Sequence, residues 1–391
     1  MPTFYNFTEN GVAYSFDDVF IPADFFREGN LFVWGSNANA QLGTNDIINK
    51  STPVTTLTGG ANWKQISSRS GNTAAIKTDG TLWIWGNNAT AQLGTNSTTN
   101  ASTPVTTFVG GTDWKQVSTG YSHCAAIKTD GTLWVWGNNA LVQLGINATT
   151  NRSTPVTTFA GGTNWKQVSC GANYTAAIKT DGTLWSWGAA DNSGRIGTND
   201  LINKSTPVTT FAGGTNWKQV SVRATHTAAV KTDGTLWSWG YNTFGRLGNN
   251  TTTQSLTPVT TFAGGTNWKQ VDVGHVYCTA VKTDGTLWGW GPNTFGELGN
   301  NTTTQSLTPV TTFAGGTNWK QVACGGAFNA AIKTDGTLWT WGSNTSGAQL
   351  GVNDTTNRLT PVTTFAGGTI WKEVSCGYSN TRATTYIDSV I

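Results

Sequence analysis

The chain has 391 residues, of which 48 are glycine and 20 tryptophan, while charged residues make up only 11%. This balance excludes a disordered polyelectrolyte, and glycine without a three-residue period excludes collagen. The net charge of +3 is small and evenly spread, so nucleic acid is not an expected partner. No apolar run approaches the roughly 18 residues of a membrane span, and the start lacks a secretory layout, so neither membrane insertion nor general export is expected.

Residues 1–26 stand apart from the rest. They carry Phe4, Tyr5, Phe7, Tyr14, Phe16, Phe20, Phe25 and Phe26 among Asp17, Asp18 and Asp24. Such a segment reads as an aromatic and acidic arm, either lying across the remainder of the chain or docking on an assembly or a second copy. From 27 to 391 a single unit recurs. Its first pieces are two strands, at Leu31 to Trp34 and Thr52 to Thr56, without the two that should precede them.

Whole units follow with a period of 51 or 52 residues. Trp-Lys-Gln-Val or a near variant opens at Trp63, Trp114, Trp165, Trp217, Trp268, Trp319 and Trp371. Trp-Gly marks Trp34, Trp85, Trp136, Trp187, Trp239, Trp290 and Trp341, and Thr-Pro-Val marks Pro53, Pro104, Pro155, Pro207, Pro258, Pro309 and Pro361. A β-rich period near 50 predicts a propeller of four-stranded blades. In the unit opening at Trp165, strand A is expected over Lys166 to Cys170, B over Thr175 to Thr180, C over Thr183 to Trp187 and D over Thr206 to Phe211. Asp181-Gly182 suggests a tight hairpin of type I′, and a proline in D suits an exposed outer edge. The last unit supplies only A and B, from Trp371 to about Tyr386. Joined to the orphan C and D at the start, it completes a seventh blade and leaves no free sheet edge.

Seven internal copies allow the chain to be compared with itself. The tryptophans recur at fixed places and are expected as wedges between blades, each ring removing about 150–250 Å² from water. Lysines after the strand A tryptophan, and at Lys77, Lys128, Lys179, Lys231, Lys282 and Lys333 with an aspartate two residues on, form a mixed-sign rim. Differences gather in the A–B and C–D loops, which topology places on one face. Loops on a rigid scaffold commonly carry recognition, so the candidate binding residues are Arg69, Asn72, Tyr121, His123, Tyr174, Arg223, His226, His275, Tyr277, Phe328 and Tyr378 in the A–B loops, and Tyr241, Phe244 and Phe295 in the C–D loops.

A strand ending in Cys-Gly, two alanines, Asp-Gly-Thr-Leu-Trp-x-Trp-Gly and then Gln-Leu-Gly, as at Gln41 to Gly43 and Gln349 to Gly351, resembles the regulator-of-chromosome-condensation repeat over about residues 27–386. The resemblance implies a seven-bladed propeller closed by both termini. The family includes a nucleotide exchange factor for a nuclear GTPase and a plant ultraviolet receptor. Even spacing leaves no room for an exchange wedge, and the A–B loops contain no tryptophan, so neither activity is expected here. More loosely, the arm ahead of a Thr/Asn/Gly-rich propeller is similar to structural proteins of tailed marine bacteriophages.

Chemistry is sparse. The three histidines lie in loops of different units, no His/Cys/Asp set has metal-ligand spacing, and no carboxylate pair is placed for acid–base work. The five cysteines read as reduced and buried. The expectation is therefore an all-β, seven-bladed propeller that is not an enzyme and uses no metal or cofactor. It would act as a phage virion appendage or decoration protein, made in bacterial cytoplasm. Its arm would meet other virion proteins or itself, and its varied face a host-surface glycan or protein. The alternative is an intracellular protein-interaction platform.

Overall fold

A computed structural model describes residues 29–57 and 60–386 in full, with the backbone of 7–9 and 12–14. Seven four-stranded antiparallel sheets form the ring. In chain order blades 1 to 6 span 63–106, 114–157, 165–209, 217–260, 268–311 and 319–363. Blade 7 takes A and B from the end of the chain, Trp371–Cys376 and Asn380–Thr385, and C and D from its start, Leu31–Gly35 and Lys50–Thr55. Leu31 pairs with Thr384 and Gly35 with Asn380, so the ring is closed as the orphan strands require. Phe7–Glu9 pairs with Val12–Tyr14 in a two-stranded ribbon; the rest of the arm expected over 1–26, and its docking, lie outside the described residues.

Blade 3 shows the local rules. Its strands are Trp165–Cys170, Tyr174–Lys179, Leu184–Gly188 and Lys204–Thr209. The outer strand thus begins two residues before the expected Thr206, and Phe211 falls beyond it, exposed. The B–C turn is not type I′. Gly182 has φ of 80° while Asp181 is not among the positive-φ residues, and Lys179 and Thr183 share a hydrogen bond of 3.0 Å. This is the three-residue hairpin in which a tight turn is followed by a left-handed glycine. The Asp181 carboxylate accepts from the Thr183 amide at 2.9 Å and its hydroxyl at 2.7 Å, and the Trp185 indole donates to that hydroxyl at 2.8 Å. Those bonds hold the carboxylate below its usual range. The aspartate therefore serves the turn first, with Lys179 two residues before it a smaller influence.

Proline meets expectation in part. Strand C meets D at Trp185↔Thr209, Ser186↔Val208 and Gly188↔Lys204, so Pro207 sits in an unpaired bulge where a missing N–H costs no ladder bond. Strand D is the outer edge of the blade, as expected, but the proline ring itself is buried.

The core lies between blades. The seven strand A tryptophans and the seven before glycine are fully buried. They meet edge to face, as with Trp217 and Trp239 at 6.2 Å, an arrangement suited to the ring quadrupole. The other six, Trp83, Trp134, Trp185, Trp237, Trp288 and Trp339, are only half-buried. Each holds a lysine over its face, as with Lys333 at 4.3 Å from the Trp339 ring, so these six are cation–π partners at the rim and not wedges.

Candidate functional site

The innermost strands deliver the A–B loops to the axis on one face. There the structure divides the fourteen candidate residues into two groups. Asn72, His123, Tyr174, His226 and Phe328 begin strand B of blades 1 to 4 and 6, Tyr277 immediately precedes that of blade 5, and all six are buried. Side chains from five of them reach to the next blade. His123 Nε2 is 2.9 Å from Thr175 Oγ1, the Tyr174 hydroxyl donates to His226 O at 2.7 Å, His226 Nε2 is 3.2 Å from Cys278 Sγ, and the Tyr277 hydroxyl donates to Phe328 O at 2.5 Å. Asn72 Nδ2 approaches Cys124 Sγ at 3.3 Å. Those five staple blade to blade through hydrogen bonds, Phe328 does so by packing in the cluster that holds Trp371 and Cys376, and all six are buried. Burial keeps His123 neutral, with its pKa pushed down to about 3, Arg69 adding to the effect. A glycine precedes the staple in several blades because no other residue fits: a Cβ on Gly325 would stand 2.1 Å from Phe328 Cε1.

Arg69 and Arg223 are buried too, and they close the axis. Arg69 donates through Nη2 to the carbonyls of Cys170 at 2.7 Å and Val222 at 2.6 Å, and through Nε to Thr119 at 3.4 Å. Arg223 donates to the carbonyls of Cys324 and of Gly377, the latter at 2.8 Å. Two guanidiniums thus join five blades through the carbonyls at the ends of their inner strands. Burial, and then Arg223, pull the Arg69 pKa down to about 10. The carboxylate that offsets this is Asp272, which accepts from Ser221 Oγ at 2.6 Å and the Cys324 amide at 2.7 Å.

Six candidates remain accessible. Over the plug, the Tyr121 hydroxyl and His275 Nδ1 are 3.0 Å apart, joining blades 2 and 5. The Tyr378 ring meets His275 edge to face at 5.4 Å. Further out, Tyr241 and Phe244 flank Arg246, whose guanidinium carbon is 4.8 Å and 6.0 Å from their ring centres. Phe295 stands at the same place one blade on, its amide donating to Glu297 Oε2 at 2.8 Å. Tyr241, Phe244, Phe295 and Tyr378 are each about 40–50% exposed, which for aromatic rings marks contact area and not core.

Sequence comparison missed the axial polar groups. Asp272 replaces the serine, and Glu373 the glutamine, found at their positions in most other blades; those departures were the available signal. Below the plug the inner strands enclose a polar well of about 200 Å³. Among the described residues no group of three or more His, Cys, Asp and Glu is placed to hold a metal ion, the five cysteines are free and buried, and no helix is long and apolar enough to cross a membrane.

Similar proteins share this frame. The ultraviolet-B receptor UVR8 of Arabidopsis thaliana is 29% identical over 336 residues, covering 84% of this chain and 76% of that one. Human HERC2, an E3 ubiquitin-protein ligase, is 28% identical over 320 residues, but they make up only 7% of the ligase. Among solved structures, human WBSCR16 superposes with a TM-score of 0.80 at 21% identity, covering 92% of this chain and 99% of that one. Prp20p of Saccharomyces cerevisiae gives a TM-score of 0.80 at 17% identity, covering 92% of each. The RCC1-like domain model matches residues 25–261 and 150–390, and the chain belongs to that family.

Proposed function

We propose that this propeller is a non-catalytic recognition module whose varied face binds a macromolecular partner, first of all a protein. The observation that carries the reading is the belt of Tyr121, Tyr241, Phe244, His275, Phe295 and Tyr378, exposed or half-exposed around a plugged axis. Exposed aromatic residues packed on a buried arginine, Arg246, have the composition of protein-binding hot spots. Among relatives, Prp20p is described with its binding to Gsp1p and histones, and its complex with Kap60 has been solved; these support recognition of a protein by the fold. The finer setting is a phage virion, with the varied face meeting a host-surface protein and the arm meeting the particle. Its support is the likeness of residues 1–26 and the Thr/Asn/Gly-rich repeat to virion structural proteins.

The test compares the Y241A/F244A/F295A variant with wild-type protein for adsorption to host cells and to their isolated surface proteins. Truncating two or more hot-spot rings is expected to weaken binding at least tenfold while the melting temperature moves little, since the rings are exposed. Unchanged adsorption would remove the reading; adsorption abolished by stripping glycans and not by proteolysis would replace the protein partner with a sugar.

A further inference from the structure

The well beneath the arginine plug has an unusual donor set. In the innermost strands the residue after valine is serine in most blades, and its oxygen accepts the amide of the next blade. Cys170 N donates to Ser118 Oγ at 2.9 Å, and Val222 N to Ser169 Oγ at 3.2 Å. An accepting hydroxyl still has its own proton to donate. In blade 4 that proton goes to Asp272; Ser118 meets only the weakly accepting sulfur of Cys170, and Ser169 makes no donating hydrogen bond among the described residues. Arg69 spends Nε and Nη2 on carbonyls and leaves Nη1 without a hydrogen bond. Arg69 grips the ends of strand A in blades 2 and 3 and lines the same well as these two serines.

Charge points the same way. The charged side chains lining the well are Arg69, Arg223, Asp272 and Glu373. Asp272 balances one arginine, and burial pushes the Glu373 carboxyl up to about 8, so it stays mainly protonated at neutral pH. One buried positive charge has no partner, a costly arrangement unless an anion supplies it.

We propose that the well binds a small monovalent inorganic anion of halide size, seated on the blade 2 and 3 side against the hydroxyls of Ser118 and Ser169 and Nη1 of Arg69. It completes the charge balance of the plug and so ties ion binding to the rigidity of the face above.

Thermal unfolding of the full chain in sodium chloride or bromide, against sodium gluconate at equal ionic strength, tests this. The halide is expected to raise Tm saturably by roughly 2–5 °C through mass action on the folded state, and gluconate, too bulky to seat between the two serines and Arg69, is not. The S118A/S169A variant should melt below wild type in gluconate, having lost the acceptors of the Cys170 and Val222 amides, and its melting temperature should no longer rise when halide replaces gluconate. Crystals soaked in bromide should show an anomalous peak between these serines and Arg69. Equal melting in halide and gluconate, an increment that survives in the variant, or a well without bromide would each overturn the site.

Discussion

Glu373 stands where six other innermost strands carry glutamine. Each of those glutamines clasps the next blade twice: Gln65, for example, donates Nε2 to Val117 O at 2.9 Å and accepts Val117 N at 2.7 Å. Glu373 makes only the second contact, to Ile66 N at 3.4 Å. Protonated, its hydroxyl can donate and restore the clasp; ionised, it loses the donor and gains a buried charge. Burial raises the carboxyl from 4.5 to about 8, opposed by the Ile66 amide and Lys372. The folded state thus holds this proton more tightly than the unfolded one. Its stabilisation is complete below pH 4.5 and declines as pH rises to about 8. E373Q is expected to melt with wild type near pH 4.5 and to exceed it by roughly 4–5 kcal/mol at pH 9 in denaturant titrations. A constant difference across that range would show that the carboxyl does not titrate with folding. His123 works in the opposite direction: with its folded pKa down near 3, it must charge on unfolding in acid, so its cost to stability grows as pH falls from 6.5. An H123N chain should be less acid-sensitive between pH 6 and 3, measured by the midpoint of acid unfolding.

Blade-to-blade staples are the element on which the varied loops rest. Gly325 packs so closely on Phe328 that G325A should cost about 1–3 kcal/mol by overpacking. Pairing it with F328A should recover part of that, a coupling that urea unfolding of the two single variants and the double would reveal. The strands themselves were legible because tryptophan, proline and Asp-Gly recur at fixed offsets. The staples were not. In Tyr174, His226 and Tyr277 the variable identity suggested a recognition surface, but an interface between blades accepts any side chain that fills the gap and finds a hydrogen bond, so variation there records several packing solutions. The same logic misplaced the turn: Asp-Gly is shared by two hairpin types, and the Asp181 to Thr183 bonds select the three-residue form. Position in the C–D loop gave better guidance, since Tyr241, Phe244 and Phe295 project beyond the last residue that strand pairing can bury.

Over the whole molecule, closure depends on pairing the first strands with the last. Removing residues 1–56 takes strands C and D from blade 7 and strips the cover from Trp371, which packs on Phe32 at 5.3 Å and Trp34 at 6.4 Å. Cooperative unfolding should then be lost, seen as a broad calorimetric transition, whereas a sharp melt at the wild-type temperature would contradict the interlocked ring. That closure was legible from the orphan strands alone; the plug was not, because Arg69 and Arg223 find their partners across the axis, 50 to 154 residues away in the chain.

Recognition by the varied face is the central claim, and the ring offers its own control. Phe244 on that face and Phe211 beyond an outer strand of blade 3 are both exposed phenylalanines, 48% and 64% accessible. A photo-crosslinking residue placed at 244 or at 211, irradiated on host cells and read by mass spectrometry, compares the two faces directly. The account predicts a discrete crosslinked partner from position 244, competed by unlabelled wild-type protein, and none from 211. A competed partner from 211 with none from 244 would contradict it.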